Sequence, residues 1–387
     1  MKRILWVRSC ALCALCFLLA LGGPAAGAAQ KEAPGVSAQS AILISADDGQ
    51  VLYEHNAHQQ LAMASTTKIM TALLTLEEAA RSDDPELTIT EEMVMVEGSS
   101  MGLQAGNRLT LRNLTAGMLL ASGNDAANAA ALALGGSQEG FAQLMNRRAA
   151  EIGMAETNFV TPSGLDDEAH YSTAYDMALL AREALKNPEF ARIAASSTLQ
   201  VEFLEPAQKI SYSNHNRLLK MYEGCIGVKT GYTKKAGRCL VSAARREGTT
   251  LVAVTLNAPD DWDDHMALFD YGFANFATAS FHSCGLPETL PVVGGTQGET
   301  QLVPGEESAA TLPLEQAQAI TRRVLLPRFL YAPVTAGEQV GEVQYWLNGE
   351  ALYRLPLFVG QNAPCLKPEP TGWKAFWGKV KGWFGWD

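Results

Sequence analysis

The chain has 387 residues, 47% of them apolar and 18% charged, which is too long for one typical domain and too apolar for a disordered one. Its formal net charge is −11, and without Lys2, Arg3 and Arg8 of the N-terminus 27 bases face 41 acids. A body this acidic argues against nucleic acid as the main partner.

Residues 1–29 read as a signal peptide. Lys2, Arg3 and Arg8 form a basic start, Cys10 to Leu21 is an apolar stretch short for a membrane span, and the small residues of 25–29 offer cleavage after Ala28 or Ala29. Cys10, Cys13 and Cys16 would leave with it. Cys225, Cys239, Cys284 and Cys365 remain, as disulfide candidates or as thiols. There is no His-Glu-x-x-His pattern and no Cys-x-x-Cys pair beyond the leader, so neither a metal nor a cofactor is expected.

The mature chain opens on a hairpin. An apolar run from Ser40 to Ser45 meets the turn Asp47-Asp48-Gly49-Gln50, and Val51-Leu52-Tyr53 resumes the strand. The stretch Ala62 to Thr75 follows, without glycine or proline, and the spacing predicts a helix to about Ala80. Ser65 and Lys68 then share one face as i and i+3 neighbours. Helices are predicted at Leu111 to Leu120, Ala126 to Leu134 and Glu139 to Gly153. Ser122-Gly123-Asn124 lies on the connection between the first two, where polar side chains can face a cleft. Ser172 or Thr173 can cap a helix from Ala174 to Leu185. Lys229-Thr230-Gly231-Tyr232-Thr233 alternates as a strand, Cys239 to Arg245 and Thr250 to Leu256 are two more, and Asp263 to Phe276 closes the unit as a helix. Strands at both ends and helices between them predict an α+β domain at 36–277, whose antiparallel sheet unites the two ends. From 283 to 366, short Val/Leu/Thr runs alternate with Gly, Pro and Asn, and Asn348-Gly349 marks a hairpin turn. That is a small all-β domain. In 371–387, Trp373, Phe376, Trp377, Val380, Trp383 and Phe384 recur at helical spacing with Lys374, Lys379 and Lys381 around them. The pattern fits an amphipathic helix lying on a membrane surface.

Ser65-x-x-Lys68, Ser122-Gly123-Asn124 and Lys229-Thr230-Gly231 occur in that order behind the leader. A serine beside a lysine able to act as its base is one way to activate a hydroxyl nucleophile. Each motif is weak alone. Together they resemble the penicillin-binding protein and serine β-lactamase superfamily, and within it the low-molecular-mass D-alanyl-D-alanine carboxypeptidases. Thr161-Pro162-Ser163-Gly164-Leu165, Tyr171 to Ala178, and Tyr232-Thr233 with Ala236-Gly237 extend the resemblance. So do Ala332 to Gly337 in the β domain and the aromatic tail.

The resemblance implies a β-lactamase/transpeptidase-like catalytic domain. It implies removal of the last D-alanine from peptidoglycan pentapeptide stems through an acyl-Ser65 intermediate, acylation by β-lactams, and a place outside the cytoplasmic membrane. It implies Ser65 as nucleophile, Lys68 as its base, Ser122 as proton relay and Asn124 as the residue holding Lys68 or the substrate amide. The backbone N–H groups of Ser65 and Tyr232 would meet the oxyanion. Thr230 and Thr233 with Lys229 would bind the terminal carboxylate, Gly231 letting the substrate backbone lie close. Many relatives add an arginine at the carboxylate, and Asp260 to His265, where it is sought, contains none. The alternatives are a D,D-endopeptidase using the same residues and a scaffold that binds peptidoglycan without turnover.

Overall fold

The computed structural model describes residues 31–367 and 372–384. The expected leader, 1–29, lies outside the described residues.

The first domain is built on a five-stranded antiparallel sheet. Its order is Val51–His55, Ser40–Ser45, Thr249–Leu256, Gly237–Arg246 and Cys225–Thr233. The first hairpin and the last three strands of the domain therefore share one sheet, as the order of elements predicts. Ser40–Ser45 and Thr249–Leu256 are buried at every residue, because both faces of these central strands are covered. Alternation sorts the side chains. Leu43, Leu240 and Leu251 pack with Leu268 and Phe269 of the helix Asp261–Asn275 on one face. Ile42, Ile44, Val241 and Val252 pack against the helical layer on the other.

The centre of that layer is the helix Lys68–Arg81, whose Ile69, Met70, Ala72, Leu73 and Leu76 are buried. Around it stand Leu111–Leu120, Asn124–Gly135, Gln138–Ile152 and Ala174–Lys186. Their ends follow side-chain chemistry: Thr110, Ser137 and Thr173 each accept from a backbone N–H of the first turn, and Gly153 ends its helix at φ +92°. A helix at Pro188–Ala194 and a hairpin of Thr198–Phe203 with Gln208–Ser213 complete the domain.

The second domain holds a six-stranded sheet in the order Thr321–Leu325, Gln339–Leu347, Glu350–Val359, Glu299–Pro304, Thr289–Val293 and Leu330–Tyr331. Asn348 and Gly349 turn its main hairpin at φ +51° and +87°, the left-handed pair such a turn requires. The domains meet at Phe276–Phe281, which pairs antiparallel with Ser308–Pro313. There the opening hairpin of the first domain grips the second. Thr311 donates its N–H to Asp48 Oδ2 at 2.6 Å, its Oγ1 lies 2.7 Å from Ser45 Oγ, and Thr278 Oγ1 donates to Asp47 Oδ2 at 3.1 Å. Cys225, Cys239, Cys284 and Cys365 are all free thiols. The tail forms a helix at Trp373–Phe384 with Trp373, Phe376, Trp377 and Trp383 exposed. Among the described residues, no helix is long and apolar enough to cross a membrane.

Candidate active site

Ser65 sits in a 3₁₀ turn, Ala64–Thr67, that runs straight into the helix beginning at Lys68. Ala64 holds φ +48°, a conformation that costs a non-glycine residue about 1–3 kcal/mol and needs support from its surroundings. Thr67 Oγ1 gives that support by donating to Ala64 O at 2.8 Å. His170 lies behind it. Its Nδ1 accepts from Val160 N at 2.9 Å, so Nε2 carries the hydrogen and donates to Thr67 Oγ1 at 2.9 Å. Burial pushes the imidazole down to about 4, which keeps this tautomer at neutral pH.

Lys68 is fully buried. Its Nζ meets Ser65 Oγ at 2.8 Å, Asn124 Oδ1 at 2.7 Å and the Ser163 carbonyl at 2.8 Å. Asn124 is fixed in that orientation because its Nδ2 donates to Glu97 O at 2.6 Å. Two of the three partners can only accept. A neutral amine therefore gives them its two hydrogens and turns its lone pair to the Ser65 hydroxyl. Burial first, and the Lys229 ammonium second, hold the Lys68 amine well below the usual lysine range, with Asp125 opposing.

Ser122 lies between the helices Leu111–Leu120 and Asn124–Gly135 at φ +57°. Its Oγ accepts from Lys229 Nζ at 3.0 Å, and Lys229 also donates to Thr230 O at 2.8 Å. Burial lowers Lys229 to about 7. Asp125 anchors the wall beside Ser122. Its carboxylate accepts from the N–H groups of Met101, Gly102, Leu103 and Ala126 at 2.9–3.0 Å and from Ser100 Oγ at 2.6 Å.

Ser65, Ser122, Thr230, Gly231 and Tyr232 line one open cleft of about 450 Å³. A larger hollow of about 680 Å³ between Glu77, Arg81, Leu87 and Leu134 contains none of these groups, so chemistry rather than size marks the site. Gly231 is there for contact. A Cβ at this position would stand 3.0 Å from the backbone nitrogens of Ser65 and Thr66. Thr233, expected beside Thr230 at the carboxylate, is engaged elsewhere: its hydroxyl donates to Asp166 Oδ1 at 2.7 Å and accepts from Ala236 N at 3.0 Å.

Sequence reasoning did not find the backbone of Ser163 and Gly164. Ser163 supplies a carbonyl, and a Cβ on Gly164, at φ +83°, would fall 1.9 Å from Ala64 O. The Thr161–Leu165 motif was the only signal, and it carries no functional side chain. Asp125, and Arg238 with Asp261 and Trp262 on the cleft wall, were not singled out from the sequence either.

Comparison with known proteins bears on the same regions. The D-alanyl-D-alanine carboxypeptidase family matches residues 27–260, and the penicillin-binding protein 5 C-terminal domain family matches 276–364. The chain is 34% identical to the D-alanyl-D-alanine carboxypeptidase DacC of Escherichia coli over 389 residues, covering 95% of each chain. It is 33% identical to DacF of Bacillus subtilis over 334 residues, 84% of this chain and 85% of that one. The crystal structure of penicillin-binding protein 5 from Haemophilus influenzae superposes with a TM-score of 0.66 at 28% identity, over 86% of this chain and 99% of the other.

Proposed function

Because this chain belongs to the D-alanyl-D-alanine carboxypeptidase family, and is a serine-type D-Ala-D-Ala carboxypeptidase, we propose that the hydroxyl of Ser65 is its nucleophile and the neutral amine of Lys68 its general base. The contact of Lys68 Nζ with Ser65 Oγ, fixed by two carbonyl acceptors, carries the proposal.

Ser65 Oγ attacks the carbonyl of the penultimate D-alanine, and its proton passes to Lys68. The backbone N–H groups of Ser65 and Tyr232 receive the oxyanion, a donor of this kind contributing about 3 kcal/mol. Lys68 gives that proton up through Ser122, which is hydrogen-bonded to Lys229, to the departing amine; the C–N bond breaks, D-alanine leaves and Lys68 is neutral again. Water then attacks the acyl ester, with Lys68 again taking a proton. Asn124 holds Lys68, while Lys229 and Thr230 attract the substrate carboxylate. The substrate class is the peptidoglycan stem peptide ending in D-Ala-D-Ala. A β-lactam carbonyl meets the same hydroxyl and stays as an acyl-enzyme. The leader and the aromatic tail helix support export and attachment to the membrane surface.

The test uses the mature protein with a fluorescent penicillin and a peptide ending in D-Ala-D-Ala. Ser65→Ala is expected to abolish the label and to lower D-alanine release by about 10⁴-fold or more. Label retained on that variant overturns Ser65 as the nucleophile.

A further inference from the structure

The row of hydrogen bonds behind Ser65 ends on one of the two oxyanion donors. The Ala64 carbonyl and the Ser65 N–H belong to one peptide group, which is planar, and in its trans form the two bonds point in opposite directions. Whatever grips the carbonyl therefore sets the aim of the N–H. The nitrogen end lies against the strand Cys225–Thr233, where a Cβ on Gly231 would stand 3.0 Å from it. The oxygen end lies under the loop that carries Ser163: a Cβ on Gly164 would fall 1.9 Å from Ala64 O and 2.8 Å from Thr67 Oγ1.

Each hydrogen in the row has one place to go. The N–H groups of Val160 and Thr161 both point at His170 Nδ1, at 2.9 and 3.3 Å, so that nitrogen accepts and Nε2 bears the hydrogen. Thr67 Oγ1, 2.9 Å from Nε2, accepts from it. A hydroxyl has a single hydrogen, and with the imidazole on one lone pair that hydrogen is directed at Ala64 O, 2.8 Å away. Thr67 is wholly buried and His170 is 3% exposed, so neither reaches substrate. Hydrogen bonds in series polarise one another, and the low dielectric of a buried site strengthens them. A carbonyl that accepts draws charge from its own amide nitrogen and makes the N–H a better donor. The peptide is also held rather than free, since Ala64 keeps its φ of +48° against its own preference.

We propose that Thr67 and His170 are positioning residues of the oxyanion site: through the Ala64 carbonyl they aim and polarise the Ser65 N–H that receives the developing charge. The proposal rests on the acyl-Ser65 reading of this cleft. It gives two buried side chains, neither of which touches a reacting atom, a share in the rate of acylation.

The experiment reads the ester carbonyl of the acyl-enzyme by infrared difference spectroscopy, using a β-lactam isotope-labelled at its ring carbonyl. In acylation Ser65 Oγ bonds to that carbon, the ring C–N bond breaks and the ring nitrogen takes a proton. The ester oxygen then lies between the two N–H donors, and each hydrogen bond lowers its stretching frequency. Thr67→Val keeps the shape and removes the hydroxyl. It is expected to raise the frequency and to slow acylation about 10-fold, short of the roughly 10²–10³-fold that loss of a whole donor costs. Thr67→Ser keeps the hydroxyl and is expected to restore both. His170→Leu gives a second, independent reading: the band moves in the same direction, and the change adds nothing in the Thr67→Val background because it acts through that hydroxyl. The band arises only from copies folded well enough to be acylated, so partial unfolding lowers its intensity without moving it. An unmoved band in Thr67→Val, or in His170→Leu, overturns the proposal for that residue, and a further shift from His170→Leu in the Thr67→Val background overturns the route through Thr67. Absence of any acyl-enzyme from the unaltered protein overturns the acyl-Ser65 reading itself.

Discussion

Lys68 is an ionisable side chain placed where a charge is costly, surrounded by the apolar residues of its own helix. The protein keeps it by matching every position on its nitrogen, and the lowered lysine range is what its proposed role as a base requires. Lys229 carries the same burden. Burial lowers it from the ordinary lysine value of 10.5 to about 7. Between those limits the unfolded chain binds a proton that the folded chain lacks, so this residue makes stability rise with pH across that window and contributes no slope below it. Lys229→Met should flatten the rise. Denaturant melts at several pH values from 7 to 10 check this, and equal slopes in both proteins would falsify it. Ser65, Lys68, Ser122, Asn124, Lys229 and Thr230 were singled out in the sequence because their side chains carry the polar groups of the three motifs, and hydrogen bonds and a shared cleft bring these together. Ser163 was not, because only its carbonyl reaches Lys68. Arg238 was not, because only strand register brings it to the cleft wall.

At the scale of elements, the catalytic turn is shaped by the loop laid against it. Gly164 fills that role by having no side chain. Gly164→Ala places a methyl group on Ala64 O in a backbone conformation alanine resists, and about 2–4 kcal/mol of stability should be lost. A urea titration measures the loss, and a shift under 1 kcal/mol, roughly the cost of the conformation alone, would show that the loop relaxes freely. The helices Leu111–Leu120 and Ala174–Lys186 were predicted almost to the residue; Thr173, one of the two caps offered for the second, caps it, and Thr110 caps the first. The Ser65 segment was predicted as continuous helix and is a 3₁₀ turn followed by one. The difference comes from Ala64, whose positive φ is imposed by packing and has no mark in the sequence. Pro188–Ala194 was passed over despite Asn187 as cap and Pro188 at its first position, because the segment is only seven residues long.

Across the whole molecule, the two domains are held together by a strand pair and by Asp47 and Asp48 of the opening hairpin. The tail helix bears four exposed aromatic residues. Removing 371–387 should abolish binding to anionic vesicles and leave D-alanine release from a short soluble peptide unchanged. Vesicle binding that persists would refute the surface-helix reading of the tail. The two-domain division was visible as a change in composition near residue 283. The grip between the domains was not, since it depends on carboxylates in a turn that read only as a turn.

The three contacts of Lys68 bring together a turn at Ser65, a helix at Asn124 and a loop at Ser163. These segments come from distant parts of the chain, and contacts such as that of Thr71 Oγ1 with Pro162 O hold them together beside the amine. A chain in which these segments have not met leaves Lys68 in water, where an amine of ordinary basicity holds a proton at neutral pH and does not serve as the proposed base. Reactivity toward a β-lactam is therefore all-or-none with the fold, and an unfinished or damaged copy stays chemically silent.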